Sequence, residues 1–126
     1  MTRPGVWLYH QIMAAGRRLE GRVKAQMEAR AKVMKALAHP TRLFIVEELS
    51  RGERCVCELT DKIGADVSTV SKHLSLLKRA GIVRDDKRGP QVFYRLRVPC
   101  ILNFFGCVEA VIDEVSRKKA GGREAA

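Results

Sequence analysis

With 126 residues, 24 Lys/Arg against 14 Asp/Glu and a net charge of +10, the chain has room for one domain with its own core and favours a polyanionic partner, nucleic acid foremost. The apolar stretch of residues 6–13 is interrupted by Tyr9, His10 and Gln11 and falls far short of a membrane span, so no export or membrane partner is expected and the default location is cytoplasmic.

The first fifteen residues show no firm pattern, and residues 1–26 read as an N-terminal extension that is partly helical. Leu19, Val23, Met27, Ala31 and Met34 recur at helical spacing and predict a long helix to about Leu37. His39-Pro40 breaks it, and Pro40 suits the first turn of a second helix carrying Leu43, Val46 and Leu49. An extended piece, Arg54–Val56, leads into a third helix closed by Gly64. The fourth has Asp66 as N-cap, an apolar stripe of Val70, Leu74 and Leu77, and Gly81 as its stop. Ile82–Asp86 and Val92–Leu96 read as a β-hairpin around the basic turn Lys87–Gln91. A last helix follows Pro99, and from Arg117 a charged, flexible tail is expected. The fold class is therefore mainly α with a small β-hairpin (α+β), its main domain spanning residues 27–116.

Residues 68–97 hold eight Lys/Arg against two Asp, which concentrates +6 of the net charge in under a quarter of the chain. A short helix, a turn and a second helix with small polar residues near its start make a helix-turn-helix arrangement. Ser68, Thr69 and Ser71 keep that face slim enough for a major groove and can bond base edges; Lys72 and His73 reach further. Lys87, Arg88 and Gln91 would form a wing against a neighbouring groove or backbone, and Arg42 adds a phosphate contact. A thiol enzyme would need a substrate pocket and an acid–base partner for its cysteines, and the sequence offers neither, so no catalytic residues or organic cofactor are expected.

Taken together, Lys35-Ala-Leu-Ala-His-Pro-Thr-Arg-Leu43, Cys55-Val-Cys57-Glu-Leu59, Ser68-Thr-Val-Ser-Lys-His-Leu-Ser-Leu-Leu77, Ala80-Gly-Ile-Val83 and Val92-Phe-Tyr-Arg-Leu96 resemble the ArsR/SmtB family of metal-responsive winged-helix repressors over roughly residues 30–112. The resemblance implies a homodimer that binds double-stranded operator DNA when metal-free and lets go when metal is bound. It also implies a dimer interface on the first and last helices, in agreement with the apolar face Ile101, Phe104, Phe105, Val108 and Ile112.

In a reducing compartment, four cysteines suggest metal binding, redox sensing or burial rather than a disulfide scaffold. In a regular helix Cys55 and Cys57 would sit about 200° apart, and in a strand they would alternate faces, so a shared ligand requires an irregular strand-to-helix junction. The resemblance places a third cysteine at the position of Thr60 in many arsenic-responsive members. The alternatives here are Cys100, expected near Cys55 beside the returning wing strand, and less favoured Cys107. Three thiolates with no histidine nearby select soft ions: trivalent arsenic or antimony first, cadmium or lead next. A thiol-redox response is the other alternative.

Overall fold

The computed structural model describes residues 17–125, with side chains from 20 to 121; the reading of residues 1–16 lies outside the described residues. The chain divides after His39 into two compact units. The first contains helix α1 (Arg17–Leu37), which exposes Met27, Val33 and Met34. It ends where predicted, with the amide of Ala38 donating to the Lys35 carbonyl at 3.3 Å.

The second unit begins with α2 (Pro40–Ser50), whose leading proline needs no amide partner in a first turn. Its buried apolar residues are Ile45, Val46 and Leu49, while Leu43 is exposed. Strand β1 (Arg54–Cys55) runs directly into α3 (Val56–Ile63), and α4 (Val67–Arg79) follows a short turn. Strands β2 (Val83–Arg88) and β3 (Gln91–Leu96) form the hairpin. They extend further toward the tip than predicted, leaving Gly89-Pro90 as the turn. Gly89 takes the left-handed φ of 62° that the first central position of such a tight turn demands. The sheet is antiparallel in the order β1-β3-β2, with Cys55 opposite Phe93 and Asp86 opposite Phe93 on the other side.

Leu59 from α3, Val70, Leu74 and Leu77 from α4, and Ile82 and Val83 entering β2 are all essentially inaccessible, together with Ile45 and Val46. Each such side chain contributes roughly 1.5–3 kcal/mol by leaving water, so this cluster fixes how α3 and α4 sit on the sheet. One charge is buried among them. Glu48 on α2 takes Lys62 of α3 at 2.8 Å and Arg51 at 3.3 Å, with Arg54 of β1 at 4.0 Å. Lys62, first among these cations, holds the Glu48 carboxyl below the usual carboxylate range. A buried carboxylate is tolerated only when paired, and this pairing pins the β1–α3 junction to α2.

Helix α5 (Ile101–Ala125) is longer than expected. The stretch from Arg117, read as a flexible tail, is helical through Ala125. Glu114 bridges Arg117 at 3.5 Å and Lys118 at 3.9 Å, one turn on, which supports helix where composition alone suggested fraying.

Candidate nucleic-acid interface and cysteine site

The helix-turn-helix pair is set by its caps. Gly64 ends α3 in the left-handed region (φ 75°), its amide returning to the Thr60 carbonyl at 2.9 Å. Asp66 is the extended N-cap residue of α4, as predicted, but its side chain makes no capping hydrogen bond to the helix backbone. Its carboxylate accepts the hydroxyls of Ser68 and Thr69. Those two bonds, Ser68 first, pull the Asp66 carboxyl down to about 2. Ser68 and Thr69 therefore spend their hydroxyl protons on Asp66 and keep only lone pairs to offer. Further along, Ser71, Lys72, Ser75, Leu76 and Arg79 line an open hollow of about 430 Å³ on the helix surface. Ser75 and Arg79 were missed from sequence, although they fall at helical spacing from Ser71 and Lys72.

His73 does not stand alone on α4, because Arg42 of α2 donates from Nη1 to its Nδ1 at 3.2 Å. At the hairpin, Lys87 and Gln91 are exposed near the tip. Arg88 is engaged within the chain: its guanidinium pairs with Glu53 at 2.5 Å and Asp86 at 3.0 Å, and lies 4.7 Å from the centre of the Phe93 ring. Glu53 first and Asp86 second push the Arg88 pKa up further. Lys78 of α4 meets Asp85 of β2 at 3.0 Å, tying the wing to the second helix of the pair and holding the Asp85 carboxyl low.

The cysteine pair sits at the irregular junction that its spacing required. Cys55 ends β1 and is the N-cap residue of α3, with φ −80° and ψ 159°, and its Sγ accepts the Glu58 amide at 3.3 Å. Cys57 is the second residue of α3. Their Cα atoms are 5.4 Å apart and their sulfurs are joined as a disulfide, where composition had suggested reduced thiols. Cys55 is buried and Cys57 exposed. Two sulfurs this close suit the first two bonds of a thiophilic ion or an internal disulfide.

Cys100 does not join them. Strand β3 is antiparallel to β1, so with Cys55 opposite Phe93 and Arg54 opposite Tyr94 the chain moves away from Cys55 as it approaches Leu96. It arrives instead beside the segment before β1. Pro99 and Leu102 share a hollow of about 310 Å³ with Ser50, Arg51, Gly52 and Glu53. The expectation that residues after Leu96 approach Cys55 had the right strand pair but the wrong end of it. Cys100 and Cys107 are both exposed and unpaired with each other. Among the described residues, no group of three His, Cys, Asp or Glu side chains is placed to hold a metal ion.

On α5, Ile101 is buried within its own unit and Phe105 is half-buried, so neither offers a bare interface. Leu102, Phe104, Val108, Val111, Ile112 and Val115 are its exposed large apolar residues, and the last five fall at spacings that make one stripe. No helix among the described residues is long and apolar enough to cross a membrane.

Residues 39–85 match the sequence model for "Bacterial regulatory protein, arsR family". The chain is 44% identical over 103 residues to the arsenical resistance operon repressor of Escherichia coli K12, covering 72% of this chain and 88% of that one. It is 41% identical over 70 residues to the transcriptional repressor SmtB of Mycobacterium tuberculosis, covering 56% of this chain and 52% of that protein, so it spans about half that relative's length. Among solved structures it resembles a homodimeric winged helix-turn-helix DNA-binding domain from Mycobacterium bovis, with a TM-score of 0.65 at 34% identity over 74% of this chain and 86% of that one.

Proposed function

Since this chain belongs to the arsR family of bacterial regulatory proteins, a family of DNA-binding regulators rather than enzymes, we propose that it is a cytoplasmic repressor whose homodimer binds operator DNA and leaves it when trivalent arsenic or antimony binds Cys55 and Cys57. The observation that carries this reading is the position of the pair. It caps the first helix of the helix-turn-helix, so any ligand taken there acts on the element that carries α4. Lys72 and Lys87 would meet phosphates, and Ser71 with His73 would face base edges. The stripe Phe104, Val108, Val111, Ile112 and Val115 would bury against a second copy, a large apolar patch being poorly tolerated in water.

A soft ion supplies bonds that reduced sulfur makes more tightly than oxygen or nitrogen ligands do. The chain's part is to hold two thiols together at a helix N-terminus, where the Glu58 amide points at the Cys55 sulfur. Release follows if the ion prefers the arrangement that fits DNA less well. The coupling is then typically ~1–3 kcal/mol, and DNA weakens ion binding by the same factor. The deciding experiment is release of a bound promoter fragment titrated in parallel with arsenite, antimonite, cadmium, lead and zinc. Arsenite and antimonite should act at the lowest concentrations, and release by cadmium or lead alone would change the inducer.

The disulfide between Cys55 and Cys57 favours one second reading, a thiol-redox repressor. Two thiols would give two electrons and two protons to a peroxide, forming one S–S bond and water. A mass loss of two hydrogens coinciding with DNA release after peroxide would select it.

A further inference from the structure

Four residues that sequence reading treats separately share one face of the sheet, and a fifth, Glu53, stands just before its short edge strand. Paired residues of neighbouring strands point the same way and residues two apart along a strand do also. Cys55, Phe93 and Asp86 are matched across β1, β3 and β2; Arg88 lies two beyond Asp86, and Glu53 lies two before Cys55. Across this face Arg88 reaches Glu53, 35 residues away in sequence, over the Phe93 ring that faces Cys55.

We infer that Glu53 competes with the DNA backbone for Arg88, forming a latch that withholds one wing cation and that the Cys55–Cys57 junction controls. A phosphate contact requires Arg88 to exchange a carboxylate for a phosphate, both of which its planar fork can bind in the same two-pronged way. Glu53 and Cys55 are separated only by Arg54, and β1 is two residues long. A ligand or bond that repositions Cys55 therefore moves Glu53 against Arg88. Where the pair sits so that Glu53 reaches the wing, the guanidinium stays home; where Glu53 is drawn off, only Asp86 still holds Nε, and the two terminal nitrogens can turn to DNA. The link to the junction rests on the sensor role proposed above. The competition at Arg88 does not.

The test is a double-variant cycle on the full-length protein, with Glu53→Gln, Arg88→Gln and their combination titrated against a duplex selected for wild-type binding from a random pool. Glu53→Gln should bind several-fold tighter at low salt, with the log–log salt slope steeper by about one, the signature of one added phosphate contact. In the Arg88→Gln background the same change should do nothing. An unchanged or weaker Glu53→Gln, or a gain that persists without Arg88, would overturn the competition. The arsenite-induced fold-loss of affinity should shrink in Glu53→Gln, and an undiminished loss would remove the link to the junction. Wild-type protein that stays on DNA in arsenite would defeat the sensor reading alone, since the first comparison still judges the latch.

Discussion

Arg42 on α2 donates to Nδ1 of His73 on α4 at 3.2 Å, so two side chains chosen for separate DNA contacts act as one unit. Arginine has only donors, so the ring nitrogen facing it, Nδ1, must accept. Arg42→Ala and His73→Ala should each weaken operator binding. The double variant should lose less than the sum, by about 0.5–3 kcal/mol of coupling. Additive losses in a fluorescence titration would show that the two act independently.

Lys72 has the simpler role. Lys72→Ala should weaken binding to every duplex alike and reduce the salt slope by about one. Ser71→Ala should instead change the ranking of operator variants. A uniform loss from Ser71→Ala would count against base reading by that hydroxyl.

The caps and stripes on which these residues stand were legible in the sequence because each is a local signal. Asp66, Gly64 and Gly81 mark their helix ends, and the spacing of Val70, Leu74 and Leu77 gives the buried face of α4. What was not legible depends on partners brought from afar. Nothing near Arg88 announces Glu53, and nothing in the sequence shows that the Ser68 proton goes to the Asp66 carboxylate rather than to a base. Cys100 was misplaced because pairing alone was considered; the direction of β3 decides which end of β1 it reaches. The recurrence of Leu43, Val46 and Leu49 does not reveal that α2 buries Ile45 beside Val46 and leaves Leu43 exposed.

Acid should act on Asp66. Its folded-state pKa lies near 2, below the ordinary 3.8, so its contribution is fully present above about pH 4 and is lost as pH falls toward 2. Asp66→Asn keeps a competent N-cap but removes the ionisable group. Urea melts between pH 4 and 2 should show stability falling less steeply in the variant. Parallel slopes would mean that the bonds from Ser68 and Thr69 do not persist in solution.

The cysteine assignment separates cleanly by variant. Cys55→Ser and Cys57→Ser should still bind operator yet fail to release it with arsenite, while Cys100→Ser and Cys107→Ser should release it as the wild type does. Retained release in Cys57→Ser would sink the paired-thiol site, and lost release in Cys100→Ser would show that α5 is drawn toward β1 on binding.

For assembly, Val111 is the residue to change, being 63% exposed and on the stripe, whereas Phe105 is half-buried and its loss would confuse folding with association. Val111→Glu should give a folded monomer by sedimentation, with much weaker operator binding. A wild type that is monomeric at micromolar concentration would refute the proposed dimer.

The sheet that carries the wing also bears on solubility. Its two outer strands are β1, only two residues long, and β2, where Arg84, Asp86, Lys87 and Arg88 are exposed. Open backbone edges can template strands from other chains, and short or charged edges are the common defence. A strand as short as β1 denies an incoming strand enough hydrogen bonds to dock, and β2 repels one by charge. Lengthening β1 to stiffen the junction would therefore carry a cost outside DNA binding, a greater tendency to form fibrils.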